Sequence, residues 1–267
     1  MSTPTRPATL LALALLAGCG GGGGSSPPPP PPPPPNASPG GIWVGTDVTA
    51  GEPVLGLAAE NGDLFFSSEG LTSGGVYYVG RFTTQGNAIN ADVVAILPPL
   101  SIYPDRATSG TGSLGGRIVE RTSIAGAVVI NTDPATSIAG GQTFSDSLAL
   151  TFSSQYNRAS SLATIAGDYG GGSLALSISS AGTLLAQDSN SGCTLTGTVA
   201  TIDLNYDMYA VSLAAMGCAG EFGVPDGSEL TGLATLNDSQ SPEYLVIGAA
   251  DTLSATRSAL MITINRM

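Results

Sequence analysis

The chain has 267 residues, 20 of them acidic and 8 basic, for a net charge of −12, and it contains no histidine. Every basic residue is arginine, so Ser–His–Asp and Cys–His catalysis, Schiff-base lysines and ordinary zinc sites are excluded. So acidic a balance also argues against nucleic acid and against polybasic docking on anionic lipid. No cofactor is expected and no enzyme activity is read; only a carboxylate pair of the glycosidase kind stays open as a remote alternative.

Residues 1–18 carry one positive charge, Arg6, and then an apolar run from Ala8 to Ala17. This is the pattern of a signal peptide, and the run is too short to span a bilayer as a helix. Leu16-Ala17-Gly18-Cys19 resembles the lipobox of bacterial lipoproteins. The resemblance implies a diacylglyceryl group on the Cys19 sulfur, cleavage before Cys19 and acylation (palmitate or similar) of the new amine. Two or more acyl chains give stable anchoring, so the membrane is the expected partner through Cys19. Gly20 stands where Asp often signals inner-membrane retention, which implies the outer membrane. Whether the folded part faces periplasm or exterior is left open.

Residues 19–40 read as a tether. Gly20–Gly24 and Ser25-Ser26 are flexible, and the nine prolines Pro27–Pro35 form a polyproline II rod of roughly 28 Å at about 3.1 Å per residue. Asn36-Ala37-Ser38 matches a glycosylation sequon but reads as linker.

From Gly41 the chain turns to Val, Ile, Leu, Thr, Ser and Gly with period-two alternation. Val76, Tyr78 and Phe82 share a face, as do Leu148, Leu150 and Phe152; Leu174, Leu176 and Ile178; Tyr209, Val211 and Leu213; and Leu260, Ile262 and Ile264. Such runs predict half-buried strands. Turn signals separate them at Asn61-Gly62, Gln85-Gly86, Ala181-Gly182 and Asn190-Ser191-Gly192. One short helical turn is expected near Ser160–Ala166. The fold class is therefore all-β and antiparallel.

A weak internal repeat divides this region. Gly41-Ile42-Trp43 corresponds to Gly167-Asp168-Tyr169, and Glu60–Phe65 to Ser180–Leu185. Gly80 corresponds to Gly197, and Ile89–Ile96 to Asp207–Leu213. The repeat predicts two small up-and-down β-barrel lobes, at 41–157 and 158–267, each plugged at one end by an aromatic such as Trp43; one larger barrel is the alternative. Gly41–Trp43, Asn61–Leu64 and Leu195–Thr198 resemble motifs in the barrel lobes of transferrin-binding-protein-B-like surface lipoproteins and, more loosely, the calycins. Ser161–Gly167 is similar to a segment of uncharacterised proteobacterial lipoproteins, a resemblance that implies no activity.

With Cys19 taken by lipid, Cys193 and Cys218 remain as an even pair in an oxidising compartment and are expected to form a disulfide. Gly110–Gly115 has dinucleotide-loop spacing, but strand-like residues follow it, so it reads as a glycine-rich hairpin. Asp203-Leu204-Asn205-Tyr206-Asp207 begins like a calcium loop, yet its sixth position is Met208 and its twelfth Ala214. It reads as a hairpin whose polar side chains share one face, and no metal site is assigned. The expected function is that of a lipoprotein of the bacterial envelope. Its folded part would be a binding module for a protein, a glycan or a small hydrophobic ligand, or alternatively a structural component.

Overall fold

The computed structural model describes residues 35–68, 70, 72, 74–219, 223–254 and 257–267; the expected signal peptide, Cys19 and most of the expected tether lie outside these. Sixteen strands form two closed antiparallel barrels of eight, each running up and down in chain order. Barrel one comprises β1 (Gly41–Asp47), β2 (Pro53–Ala58), β3 (Asp63–Ser68), β4 (Val76–Gln85), β5 (Ala88–Ile96), β6 (Ser109–Val119), β7 (Ser123–Thr132) and β8 (Thr143–Ser153). Barrel two comprises β9 (Gly167–Gly171), β10 (Leu174–Ile178), β11 (Thr183–Asp188), β12 (Thr194–Thr201), β13 (Tyr209–Met216), β14 (Glu229–Asn237), β15 (Tyr244–Asp251) and β16 (Ser258–Arg266). The pairs β1–β8 and β16–β9 close the two rings, which settles the choice against a single larger barrel.

The alternation in the sequence is what fills the interiors. β5, β8 and β11 alternate between exposed and buried, and their buried members point inward. One continuous apolar cluster occupies barrel one, from Trp43 through Phe66, Tyr78, Leu114 and Ile130 to Leu150. A second occupies barrel two, from Tyr169 through Leu195, Leu213 and Ile247 to Ile262. Side chains thus pack both lumens, as is usual for eight strands.

The internal repeat is physical. Gly62 and Gly182 both have positive φ, at 91° and 81°. Each donates its N–H back to the start of its turn, Ala59 O and Ser179 O, and each accepts from the strand beyond, Phe82 N–H and Val199 N–H, both at 2.7 Å. A Cβ at either position would collide with that same strand, so glycine is required twice. The two plugs also match. Trp43 Nε1 donates to Pro39 O at 3.1 Å and Tyr169 Oη to Ile165 O at 2.6 Å, in both cases four residues back. Both rings are fully buried.

Between the barrels, Ser154–Asn157 make a 3-10 turn, and a single helical turn, α1 (Leu162–Ile165), follows where one is expected. Ser161 caps it by accepting from Thr164 N–H at 3.0 Å. The anticipated boundary at Tyr156–Ser160 lies in this connection.

The Gly110–Gly115 segment departs from expectation. It is no hairpin; it lies inside β6, one uninterrupted strand. A Cβ on Gly112 would collide with Val129 O, and one on Gly116 with Ala125 O. The glycines here allow two strands to approach closely instead of reversing the chain.

The barrels lie side by side through their outer walls. Barrel one contributes Ile42, Leu57 and Phe65; barrel two contributes Leu233, Val246 and Ala250. β15 is consequently buried on both faces, and its sequence Tyr-Leu-Val-Ile-Gly-Ala-Ala does not alternate. The barrels approach closely at Gly248, where a Cβ would run into the Phe65 ring. Phe65 in turn packs on Tyr77, with ring centres 5.3 Å apart.

A clasp holds the connection. Arg121 pairs with Glu60 at 2.8 Å, donates to Asn157 Oδ1 at 2.8 Å and lies 4.4 Å over the Tyr206 ring. Tyr156 stacks on Tyr206 with centroids 5.0 Å apart.

The barrels share one polarity. Their plugged ends adjoin through Ile42, Ala59, Tyr156 and Met208. Their other ends adjoin through Ile96, Ala250 and Ala259, and there Gly223 lies against both Pro99 and Ala259. The chain enters at the plugged end of barrel one. Ala37 N–H donates to Gly86 O, and Ser38 Oγ bonds Glu60. The opposite end is a rim of loops drawn from both barrels.

Candidate functional site

The rim is built from the connections after β1, β3, β5 and β7 in barrel one and after β9, β11, β13 and β15 in barrel two. Its loops are held by their own carboxylates. Asp105 accepts from Thr132 Oγ1, Ser137 Oγ and Ala107 N–H. Burial would raise its pKa, but these hydrogen bonds outweigh it and hold the carboxyl below the usual range. Asp251 accepts from Leu253 and Ser254 N–H, each at 3.0 Å.

On this ordered frame, large apolar side chains stand in solvent. Leu100 is 100% exposed, Leu253 97%, Ile138 75% and Val48 61%. Leu100 also has φ of +69°, a left-handed conformation that costs a branched side chain energy. Single exposed leucines are ordinary. Four on the loops of one end are a candidate contact surface.

Two clefts flank the contact between the barrels. One, of about 640 Å³, is lined by Val79, Val94 and the exposed Arg81–Asp63 pair on barrel one and by Ala200, Ala210 and Leu233 on barrel two. The other, of about 410 Å³, is lined by Val44, Leu55, Gln155 and Tyr244 among others. Both lie outside the barrels, because the interiors are occupied.

Cys193 and Cys218 form the expected disulfide, 25 residues apart. They sit just outside β12 and β13 and fasten the rim end of that hairpin beyond the pair Thr194–Met216. Trp43 is an interior plug hydrogen-bonded to backbone and lines no cleft described here.

The Asp203–Asp207 segment is corrected in one respect. Asp203 and Asn205 stand at the surface of a turn, but Asp207 is only 4% exposed and turns away from them. Thr235 Oγ1 donates to it at 2.9 Å and Gln155 Nε2 at 3.3 Å. Burial pushes its pKa up. Its role is to fasten the Ser154–Asn157 connection to barrel two, so the three polar side chains do not converge.

Two residues that sequence reading did not single out do converge. Asp47 and Asp146 lie at the inner end of the rim of barrel one, 0% and 4% exposed. A Cβ on Gly70 would collide with the Oδ2 atom of each. The backbone of Gly70 therefore lies against both carboxylates.

The chain matches no family model, no curated protein and no solved structure. The fold class is therefore described by its own topology: a tandem of closed eight-stranded antiparallel barrels.

Proposed function

We propose that this is a lipid-anchored protein of the bacterial outer membrane whose folded part is a non-catalytic binding module, contacting its partner through the rim of loops. The exposed aliphatic tips Val48, Leu100, Ile138 and Leu253 carry this reading, because they stand at the end opposite the one where the chain enters. A lipidated Cys19 and the tether of residues 19–40 would then present the rim away from the membrane. The packed interiors support recognition by a surface over a ligand in the lumen, and the lack of histidine and lysine removes the commonest catalytic side chains.

A photo-crosslinking residue at position 100 or 253, in intact cells, is expected to give a discrete protein adduct. The same residue at position 204, 65% exposed at the plugged end, is expected to give none. Equal labelling from all three, or none from the rim, would count against the rim and favour a structural envelope role. Leu100→Ser with Leu253→Ser should change stability by no more than about 0.5 kcal/mol per site while abolishing the adduct from position 138. Protease shaving of intact cells decides which face the domain occupies: digestion places it outside, protection in the periplasm.

A further inference from the structure

We infer that the rim end of barrel one binds a divalent, calcium-like cation through the carboxylates of Asp47 and Asp146. Both side chains point inward from neighbouring strands, and β1 and β8 pair directly beside them at Asp47–Leu148. The ion pairs among the described residues are Arg81–Asp63, Arg121–Glu60, Arg158–Asp238 and Arg266–Glu243. None reaches Asp47 or Asp146, so two acids lie buried together without a counter-charge. Buried carboxylates are stable only when paired, protonated or bound to metal.

Asp47 Oδ1 accepts from Ala50 N–H at 2.6 Å and Oδ2 from Glu52 N–H at 3.1 Å. Asp146 Oδ1 accepts from Ser147 N–H at 2.7 Å. Asp146 Oδ2 and Tyr103 Oη are buried with no hydrogen-bond partner. The Tyr103 ring stacks on Phe144, two residues before Asp146. Tyr78 is buried in the same cluster as Tyr103. Ser68 Oγ is buried at the adjacent end of β3.

Every donor here is oxygen, which is the chemistry of a hard cation. Among the described residues no three His, Cys, Asp or Glu side chains are placed to hold one metal ion together. The two carboxylates would therefore share the ion with hydroxyl, carbonyl or water oxygens, and millimolar or sub-millimolar affinity is the range expected of an extracellular site. This inference is independent of the partner-binding reading above, because it concerns the isolated protein.

The test is a terbium titration of the purified full chain, read as luminescence under tyrosine excitation and reversed with calcium. Tyr78 and Tyr103 should sensitise bound terbium, and calcium should displace it. Asp146→Asn should weaken calcium at least about 10-fold, and Asp203→Asn, in the exposed turn, should leave it unchanged. Absence of calcium-reversible emission from the wild-type chain would overturn the site even if the variant fails to fold. So would emission abolished by Asp203→Asn and retained by Asp146→Asn. A protonated-carboxyl infrared band at neutral pH that vanishes in Asp146→Asn would assign the pair to a shared proton and overturn the cation.

Discussion

Gly248→Leu is expected to destabilise the protein by about 1–3 kcal/mol and to split its unfolding into two transitions. Position 248 lies on the outer face of β15, where even a Cβ runs into the Phe65 ring of the other barrel. Phe65 cannot retreat freely, since its own side is packed by Tyr77 and its neighbours Ile96, Ala250 and Ala259 are buried. The interior of barrel two is untouched, because Ile247 and Ala249 are the inward residues on either side. The variant therefore separates the packing between barrels from the packing within them. Urea unfolding followed by circular dichroism should show a broadened or biphasic curve where the parent shows one. Leu185→Ser, on an exposed outer face of barrel two, is the control. A single transition of unchanged midpoint in Gly248→Leu would show that the barrels are not energetically coupled through this contact.

Removing the disulfide should have a comparable effect on barrel two alone. Cys193→Ser with Cys218→Ser opens a loop of 25 residues, for which chain entropy predicts a loss of roughly 3 kcal/mol. The bridge fastens β12 to β13 where the rim loops begin, and both sulfurs are buried in the core cluster of that barrel. Its loss should therefore loosen the second barrel first. Calorimetry with and without reductant should show a lowered transition, while the environment of Trp43, enclosed in barrel one, reports an unchanged first barrel up to that point. A shift corresponding to less than about 1 kcal/mol would mean that the bridge is redundant with packing. Mass measurement before and after reduction, on protein made in its native compartment, checks that the bond forms there.

Much of this architecture is local and can be read along the chain. Period-two alternation specifies which side chains of β5, β8, β11 and β13 turn inward, because a strand reverses its side chains at every residue. Gly62 and Gly182 announce equivalent turns, and with Trp43 and Tyr169 they announce a repeated unit. Two cysteines left over after Cys19 announce their bond. Misreadings arose where a local rule had two physical meanings. Gly110–Gly115 suggested a turn, yet glycine also permits the close strand approach found at Gly112 in β6. Asp207 looked like one of three polar side chains on a shared face, yet Thr235 and Gln155, distant in sequence, draw it inside.

The candidate sites were less legible. Asp47 and Asp146 are separated by nearly the whole of barrel one, and only closure of the ring brings β1 beside β8. The exposure of Leu100, Ile138 and Leu253 likewise depends on which loops share an end. Composition and short-range pattern thus determine the strands, the repeat and the thiol pair, since each rests on signals that can be read along the chain. Ring closure, the burial of β15 on both faces and the meeting of two unpaired carboxylates were decided by the tertiary structure alone. They depend on contacts between residues far apart in the chain, where no periodicity can carry the signal.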